Sequence, residues 1–327
     1  MCAVALVLLL GAAGCGGSSK KSAAPRRKTP PPPPIAPLTG ERDPFRVAQK
    51  RCAITVKVDN RKAGQPKYGA EDADVVYEEV VEGGYTRLAE IFNSRAPTRV
   101  GPVRSVRKTD QSLVWPIGGV FVYSGGAQYA IDSINTAPVV QIDETRAGPL
   151  MFRDPARQAP FNLYAHVDQM YTKCGKPVPP PALFAYRAPG AAVGGVPAAQ
   201  VHVGFLAGFA VTWTWDVPSK TWRRAIFGAP EIAASGVQLA PKNLIVMTAP
   251  YIGGNPALGN IGAEAQLVGK GPVEVFTAAR AITGTWNRPD KAKPALLLDA
   301  TGAEIKLTPG QTWVEIVDPS YRVDVTP

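Results

Sequence analysis

Histidine is almost missing from this 327-residue chain: His166 and His202 are the whole complement. Two histidines in unrelated contexts cannot supply a Ser-His-Asp set, so a charge-relay hydrolase has no support, and each reads as structural or exposed. Cysteine is scarce as well, with four residues and no close pair. With so little histidine beside them these make no zinc centre, and no metal site is expected. Nothing near any cysteine would lower a thiol pKa, so a cysteine nucleophile is unsupported. Gly125 and Gly126 of SGG (124–126) fall short of a nucleotide-binding fingerprint, and no cofactor is expected. Long hydrophobic runs are lacking too. The first fourteen residues, MCAVALVLLLGAAG, carry no charge, but spanning a bilayer takes about 20 apolar residues.

That run fits the apolar part of a secretory signal, residues 1–14. AAGCGGSS follows and resembles a bacterial lipobox, whose cysteine is diacylated as the signal is removed; Cys15 is the lipidation site this implies. Two features depart from the pattern: Ala12 stands where Leu is usual, and no Lys or Arg precedes the apolar run, which implies a start codon further upstream. Residues 15–40 then read as a tether. SSKKSAAPRRKTPPPPPIAP (18–37) has too little apolar content for a core and is expected to stay extended. The chain carries 36 Lys+Arg against 26 Asp+Glu, a net +10; Lys20, Lys21, Arg26, Arg27 and Lys28 hold five of these charges, so 10 − 5 leaves +5 for the body. An anionic membrane surface is the expected partner of that stretch, at about 1 kcal/mol per basic residue. Nucleic acid is not an expected partner of an exported protein with its charge in a tether. The expected address is outside the cytoplasm, on the cell membrane.

Past the tether, the block 41–189 mixes strand and helix signals. CAITVKVDN (52–60) alternates Ile54, Val56 and Val58 with Thr55, Lys57 and Asp59, which predicts a half-buried strand. ADVVYEEVVEGGYTRLAEIFNS (73–94) predicts two strands joined at Gly83-Gly84. VRKTDQSLVWPIG predicts a short helix ending before Pro116, and GVFVYSGG (119–126) a compact strand. AQYAIDSINT predicts a helix after the glycines, and NLYAHVDQMYTKCG (162–175) another that stops at Gly175. Residues 190–200 end a Pro-, Gly- and Ala-rich stretch and are the expected linker. From 201 to 327, short strands and turn signals predict a β-rich block. Phe209, Val211, Trp213 and Trp215 share one strand face there, as core residues do, with a sugar-binding row as the alternative. The expected fold class is α+β: a mixed α/β N-terminal domain, then a mostly antiparallel β C-terminal domain. Cys2 leaves with the signal and Cys15 takes the lipid, so Cys52 and Cys174 remain to form a disulfide in an oxidising compartment.

PLTG (37–40), ITVKVDN, GAEDADVVYEEVVEGGYTRLAEIF, VGPVRSVR, FRDPARQAPFNLYA and GTW…EIKLTPGQTWVEIV resemble, in the same order, the YerB-like lipoproteins. The match runs through nearly everything after the tether. It implies a two-domain, lipid-anchored, extracytoplasmic protein of unknown function, and it brings no catalytic residues; Cys52 and Cys174 lie outside its motifs.

The chemistry is concentrated in RVGPVRSVR (99–107). Arg104 and Arg107, three apart, would share a face of a helix opening near Val103, beside Ser105 and free first-turn amides. Planar guanidinium forks at a helix start hold phosphate or carboxylate. Arg87, Gly125, Gly126, Arg153 and Asn162 are the further candidate anion contacts. The competing reading has Glu78, Glu79, Glu82 and Glu90 absorbing the arginines in structural ion pairs. Asp59 and Glu82, carboxylates at strand ends and turns, are candidates for general acid–base work. Three functions follow: a tethered binder of an anionic cell-envelope ligand, such as a wall polymer or a cell-wall protein; an enzyme acting on envelope glycans or their linkages; or a scaffold regulating a cell-wall enzyme.

Overall fold

A computed structural model describes Ala3 and residues 34–206, 209–253 and 262–327. Apart from Ala3, the signal 1–14, Cys15 and the basic part of the tether lie outside the described residues. No helix among the described residues is long and apolar enough to cross a membrane.

The alternating pattern at 52–60 does give a strand, β1 (Ile54–Asp59), but it is not half-buried: all six residues are inside. Both faces of its sheet are covered, and the polar members Lys57 and Asp59 find ionic partners within. β2 (Val75–Val80) and β3 (Thr86–Phe92) form the expected hairpin through a turn at Glu82–Gly84. β3 pairs antiparallel with both β2 and β1. β4 (Val120–Val122) and β5 (Val140–Ile142) add to β1 in parallel. The disulfide Cys52–Cys174 ties the start of this block to its end across 122 residues, a loop closure that stabilises by about 4–5 kcal/mol in the chain-entropy account.

The larger sheet does not stop at residue 189. β2 pairs in parallel with Thr312–Val317, with Glu78 opposite Glu315. That strand pairs with Asn243–Thr248, followed by Gly269–Thr277, Arg280–Arg288 and Leu296–Asp299. One sheet therefore crosses the expected boundary, and Val196–Pro197 of the linker region is itself paired to Arg280–Ala281. The halves share a core as well, with Val56, Val76 and Leu88 clustered with Val211, Trp213, Leu244 and Trp313. A second, antiparallel sheet of five strands covers that face: Gln200–Leu206, Phe209–Asp216, Thr221–Ile226, Ala229–Pro230 and Arg322–Thr326. Trp213 is fully buried there against Trp313, ring centroids 5.3 Å apart, so this face of Phe209–Asp216 is core. Truncating either ring would cost about 3–5 kcal/mol.

The helix expected over 162–175 is shorter than its periodicity suggests. Leu163–Ala165 is a strand paired with Met151–Arg153, and the helix is Val167–Met170 plus a 3₁₀ turn. Backbone hydrogen bonds from Val103 N to Leu163 O (2.7 Å) and from Val100 N to Ala165 O (3.0 Å) draw those residues into extended pairing. Tertiary pairing has overridden local periodicity.

Candidate functional site

β1, β2, β4 and β5 run in one direction, so their carboxyl ends reach the same edge of the sheet. Ligands of α/β sheets bind outside that edge, where neighbouring strands part. Here the arginine stretch is drawn into the opening. Asp59 N donates to Pro102 O (2.9 Å), Arg104 N to Lys57 O (2.8 Å), Ser124 N to Arg104 O (2.9 Å) and Val106 N to Gly125 O (3.0 Å). Residues 102–106 thus lie wedged between the ends of β1 and β4. Gly101, at φ 142°, makes the entry possible, because a Cβ would sit 2.8 Å from Val103 N and 2.9 Å from Leu163 O.

This extended path corrects the expected geometry. α1 (Lys108–Val114) begins only after Arg107, so Arg104 and Arg107 do not share a helix face. The helix start is closed by a reciprocal pair, Arg107 N donating to Asp110 Oδ2 at 2.7 Å and Asp110 N to Arg107 O at 3.1 Å. The arginines meet through other contacts. Arg104 Nε lies 2.7 Å from Asp59 Oδ2, and Arg61 reaches the same oxygen at 3.1 Å. Arg107 pairs with Glu82 at 2.6 Å. Arg87 Nη1 (2.7 Å) and Arg107 Nη1 (3.4 Å) both donate to the Ser105 carbonyl. Ser105 therefore contributes its backbone oxygen to the cluster. Four guanidiniums, of Arg61, Arg87, Arg104 and Arg107, face two carboxylates, of Asp59 and Glu82. Arg87 has no carboxylate within ion-pair distance among the described residues; burial, then Arg107 and Arg104 beside it, pull its pKa down to about 9. The cluster is reached from solvent, the Arg61 side chain being 30 % and that of Arg107 14 % exposed.

Asp59 is 1 % exposed, with Oδ1 accepting from Arg61 N at 2.7 Å and Oδ2 shared by two arginines. It acts as a clamp on cations, a poor position for a general base. Gly125 and Gly126 are exposed at the end of β4, before α2 (Gln128–Ile134). Arg153 and Asn162 pair with each other at 2.7 Å, and Arg153 also binds Glu144. They sit further along the edge, linked to the wedge through Ser124, whose hydroxyl donates to Glu144. Of the four glutamates expected to absorb arginines, only Glu82 takes one from the stretch. His166 stacks on Phe152 and His202 meets Thr212, both structural contacts.

Three members of the edge were missed. Arg61 was signalled by its place directly after Asp59-Asn60. Phe161 lies under both Arg61 and Arg104, at 4.8 and 5.4 Å. Tyr129 of α2 feels Glu82, Arg107 and Arg87, and burial followed by Glu82 raises its pKa. Beneath the edge, Lys57 is fully buried between Glu79 and Asp110. Burial, opposed by Lys57 and helped by Asp110, lifts Glu79 to about 7.

The opposite face carries a second charged cluster, closed inside the seam between the sheets. Arg224 binds Glu78 and Glu231, and Lys67 binds Glu231 and Asn60. Trp213 donates to Glu315 at 2.9 Å. Glu90 is wholly buried, with no hydrogen-bond partner on either oxygen. Burial raises Glu90 and Glu315 well above the usual carboxylate range, with Glu71 adding at Glu90 and Glu78 at Glu315.

Two family models match this architecture, both described as a protein of unknown function, DUF3048: its N-terminal domain over residues 38–177 and its C-terminal domain over 201–314. A Bacillus subtilis (strain 168) protein named putative lipoprotein YerB is 34 % identical over 136 residues, 41 % of this chain and 40 % of that protein. The aligned part thus spans well under half the length of this curated relative. The crystal structure of the Bacillus subtilis YerB protein superposes with a TM-score of 0.77 at 22 % identity, covering 89 % of this chain and 99 % of that one, which shows a shared fold.

Proposed function

The chain belongs to the DUF3048 family of proteins of unknown function, and on that premise we propose that it is a membrane-anchored, extracytoplasmic lipoprotein that binds an anionic cell-envelope ligand at the carboxyl edge of its larger sheet. Anchoring at Cys15 rests on the lipobox resemblance and on the lipoprotein name of its relative. One observation carries the binding role: four guanidiniums gather around only two carboxylates at a solvent-reached strand edge, and one of them, Arg87, pairs with neither. Arginine cannot discharge by losing a proton near neutral pH, so the excess of two positive charges calls for an anion. Phosphate on a wall polymer, or a partner's clustered carboxylates, matches planar forks. An enzyme acting on envelope glycans draws less support, because Asp59 and Glu82 are committed to arginines.

The test is binding of the purified chain to isolated phosphate-bearing wall polymer as salt is raised. Arg87→Gln should weaken binding about tenfold and flatten the salt dependence, the loss of one charge-assisted hydrogen bond. Unchanged binding in Arg87→Gln and in the double variant Arg104→Ala, Arg107→Ala would end the proposal.

A further inference from the structure

A buried arginine without an acid stands apart from both charged clusters. Arg288 is 5 % exposed, and no carboxylate lies within ion-pair distance of it among the described residues. Asp290 raises its pKa from a distance but is turned to its own turn, accepting from Ala292 N at 2.8 Å. Arg288 is held instead by carbonyl oxygens. Nε donates to Lys293 O (2.9 Å), Nη2 to Ser112 O (2.7 Å) and Lys291 O (2.5 Å), and Nη1 to Leu267 O (3.4 Å). A guanidinium has five N–H groups, so one Nη1 hydrogen is left uncommitted.

Arg288 lines a cavity of about 30 Å³ together with the Tyr77 side chain; Leu113, Leu183, Phe184 and Met247 form apolar walls. A space of about 10–15 Å³ holds one water, so this one takes one or two small species. Tyr77 and Arg288 sense each other's charge, since Arg288 opposes the burial that pushes the phenol up to about 12. A neutral phenol offers its O–H, the guanidinium offers a spare N–H and an unbalanced charge, and no carboxylate lines the cavity.

We propose that this cavity binds one halide-sized monovalent anion between Arg288 and Tyr77. Its walls come from α1, from the 183–184 segment and from strands of both halves, so the bound ion pins those pieces together and stabilises the fold by mass action. The site is separate from the arginine edge and stands whether or not that edge binds a polymer.

Bromide serves as the probe. Crystals of the full chain equilibrated in bromide should show an anomalous peak in this cavity. The thermal midpoint should rise with bromide at constant ionic strength and not with sulfate. Tyr77→Phe should weaken the bromide response about tenfold, the loss of one hydrogen bond to a charged group. Arg288→Lys, which keeps the charge but loses the fork, should weaken it as well, and it serves as the second variant if Tyr77→Phe folds poorly. A cavity empty of bromide, or a bromide response unchanged in both variants, overturns the proposal.

Discussion

The seam between the sheets and the carboxyl edge of the larger one both hold unbalanced charge, with opposite signs and opposite remedies. In the seam, the four acids Glu78, Glu90, Glu231 and Glu315 outnumber the two bases Lys67 and Arg224. At the edge, Arg61, Arg87, Arg104 and Arg107 outnumber Asp59 and Glu82. A carboxylate in a closed, dry place can take up a proton, and the raised values of Glu90 and Glu315 show that course. A guanidinium cannot shed one: even Arg87, drawn down to about 9, stays charged at neutral pH. Surplus acid can therefore be sealed inside, whereas surplus arginine has to stay where solvent or an anion can reach it.

The sharpest way to break this contrast is to remove a cation from the seam. Arg224→Met leaves Glu78 and Glu231 without their shared partner in a fully buried place, and should cost about 3–5 kcal/mol of stability by denaturant unfolding. A cost near 1 kcal/mol would mean that water or protons already balance the seam.

Next comes pH. Glu90, Glu315 and Glu79 hold protons in the fold that they release near pH 4.3 when unfolded. The folded state binds more protons at these three groups above that point, so their contribution to stability is fully present below about 4.3 and falls as pH rises through the raised folded values. Glu79, at about 7, places its part of the fall between about 4.3 and 7. Glu90→Gln should flatten the profile and raise stability at pH 8 by about 1–3 kcal/mol, because an amide needs no proton to stay neutral. A flat profile in the unaltered protein would refute the proton account.

At the edge the order of effects reverses. Arg87→Gln should change stability by about 1 kcal/mol or less, since it gives up one hydrogen bond to Ser105 O. Its larger effect is the tenfold loss of polymer binding, read by titration.

The two regions also differ in how far they could be read from the sequence. The edge was half legible. RVGPVRSVR and Asp59-Asn60 drew attention as dense polar groups beside turns, and Glu82 was named as a rival partner. What stayed hidden was which acid meets which arginine, because Asp59, Glu82 and the stretch 102–106 come together only through the sheet. The seam was not legible at all. On the other face of β1, beneath the edge, Thr55, Lys57 and Asp59 looked like a solvent face, as alternating polar residues do, yet they too are buried. Glu78 and Glu90 read as ion-pair partners for the arginine stretch, whereas the cation that meets Glu78 lies 146 residues away. The strand types, the Gly83-Gly84 hairpin and the β-rich second half were visible in local pattern. The parallel pairing of β2 with Thr312–Val317 was not, because a contact that distant leaves no local periodicity.

The smallest expected effect is the most diagnostic of the edge. Arg61 pairs with Asp59 at 3.1 Å, but its side chain is 30 % exposed and Arg104 already holds the same oxygen. An exposed ion pair is worth about 0.2–1 kcal/mol, so Arg61→Ala should lower stability by about 0.5 kcal/mol or less. Removing that charge leaves Asp59 to Arg104 alone and brings the edge to three guanidiniums against two carboxylates. Binding of the polymer should then weaken less than in Arg87→Gln, because Arg61 shares the Asp59 carboxylate and Arg87 has none. If Arg61→Ala weakens binding as much as Arg87→Gln, net charge alone governs the edge and the unpaired arginine has no special part in it.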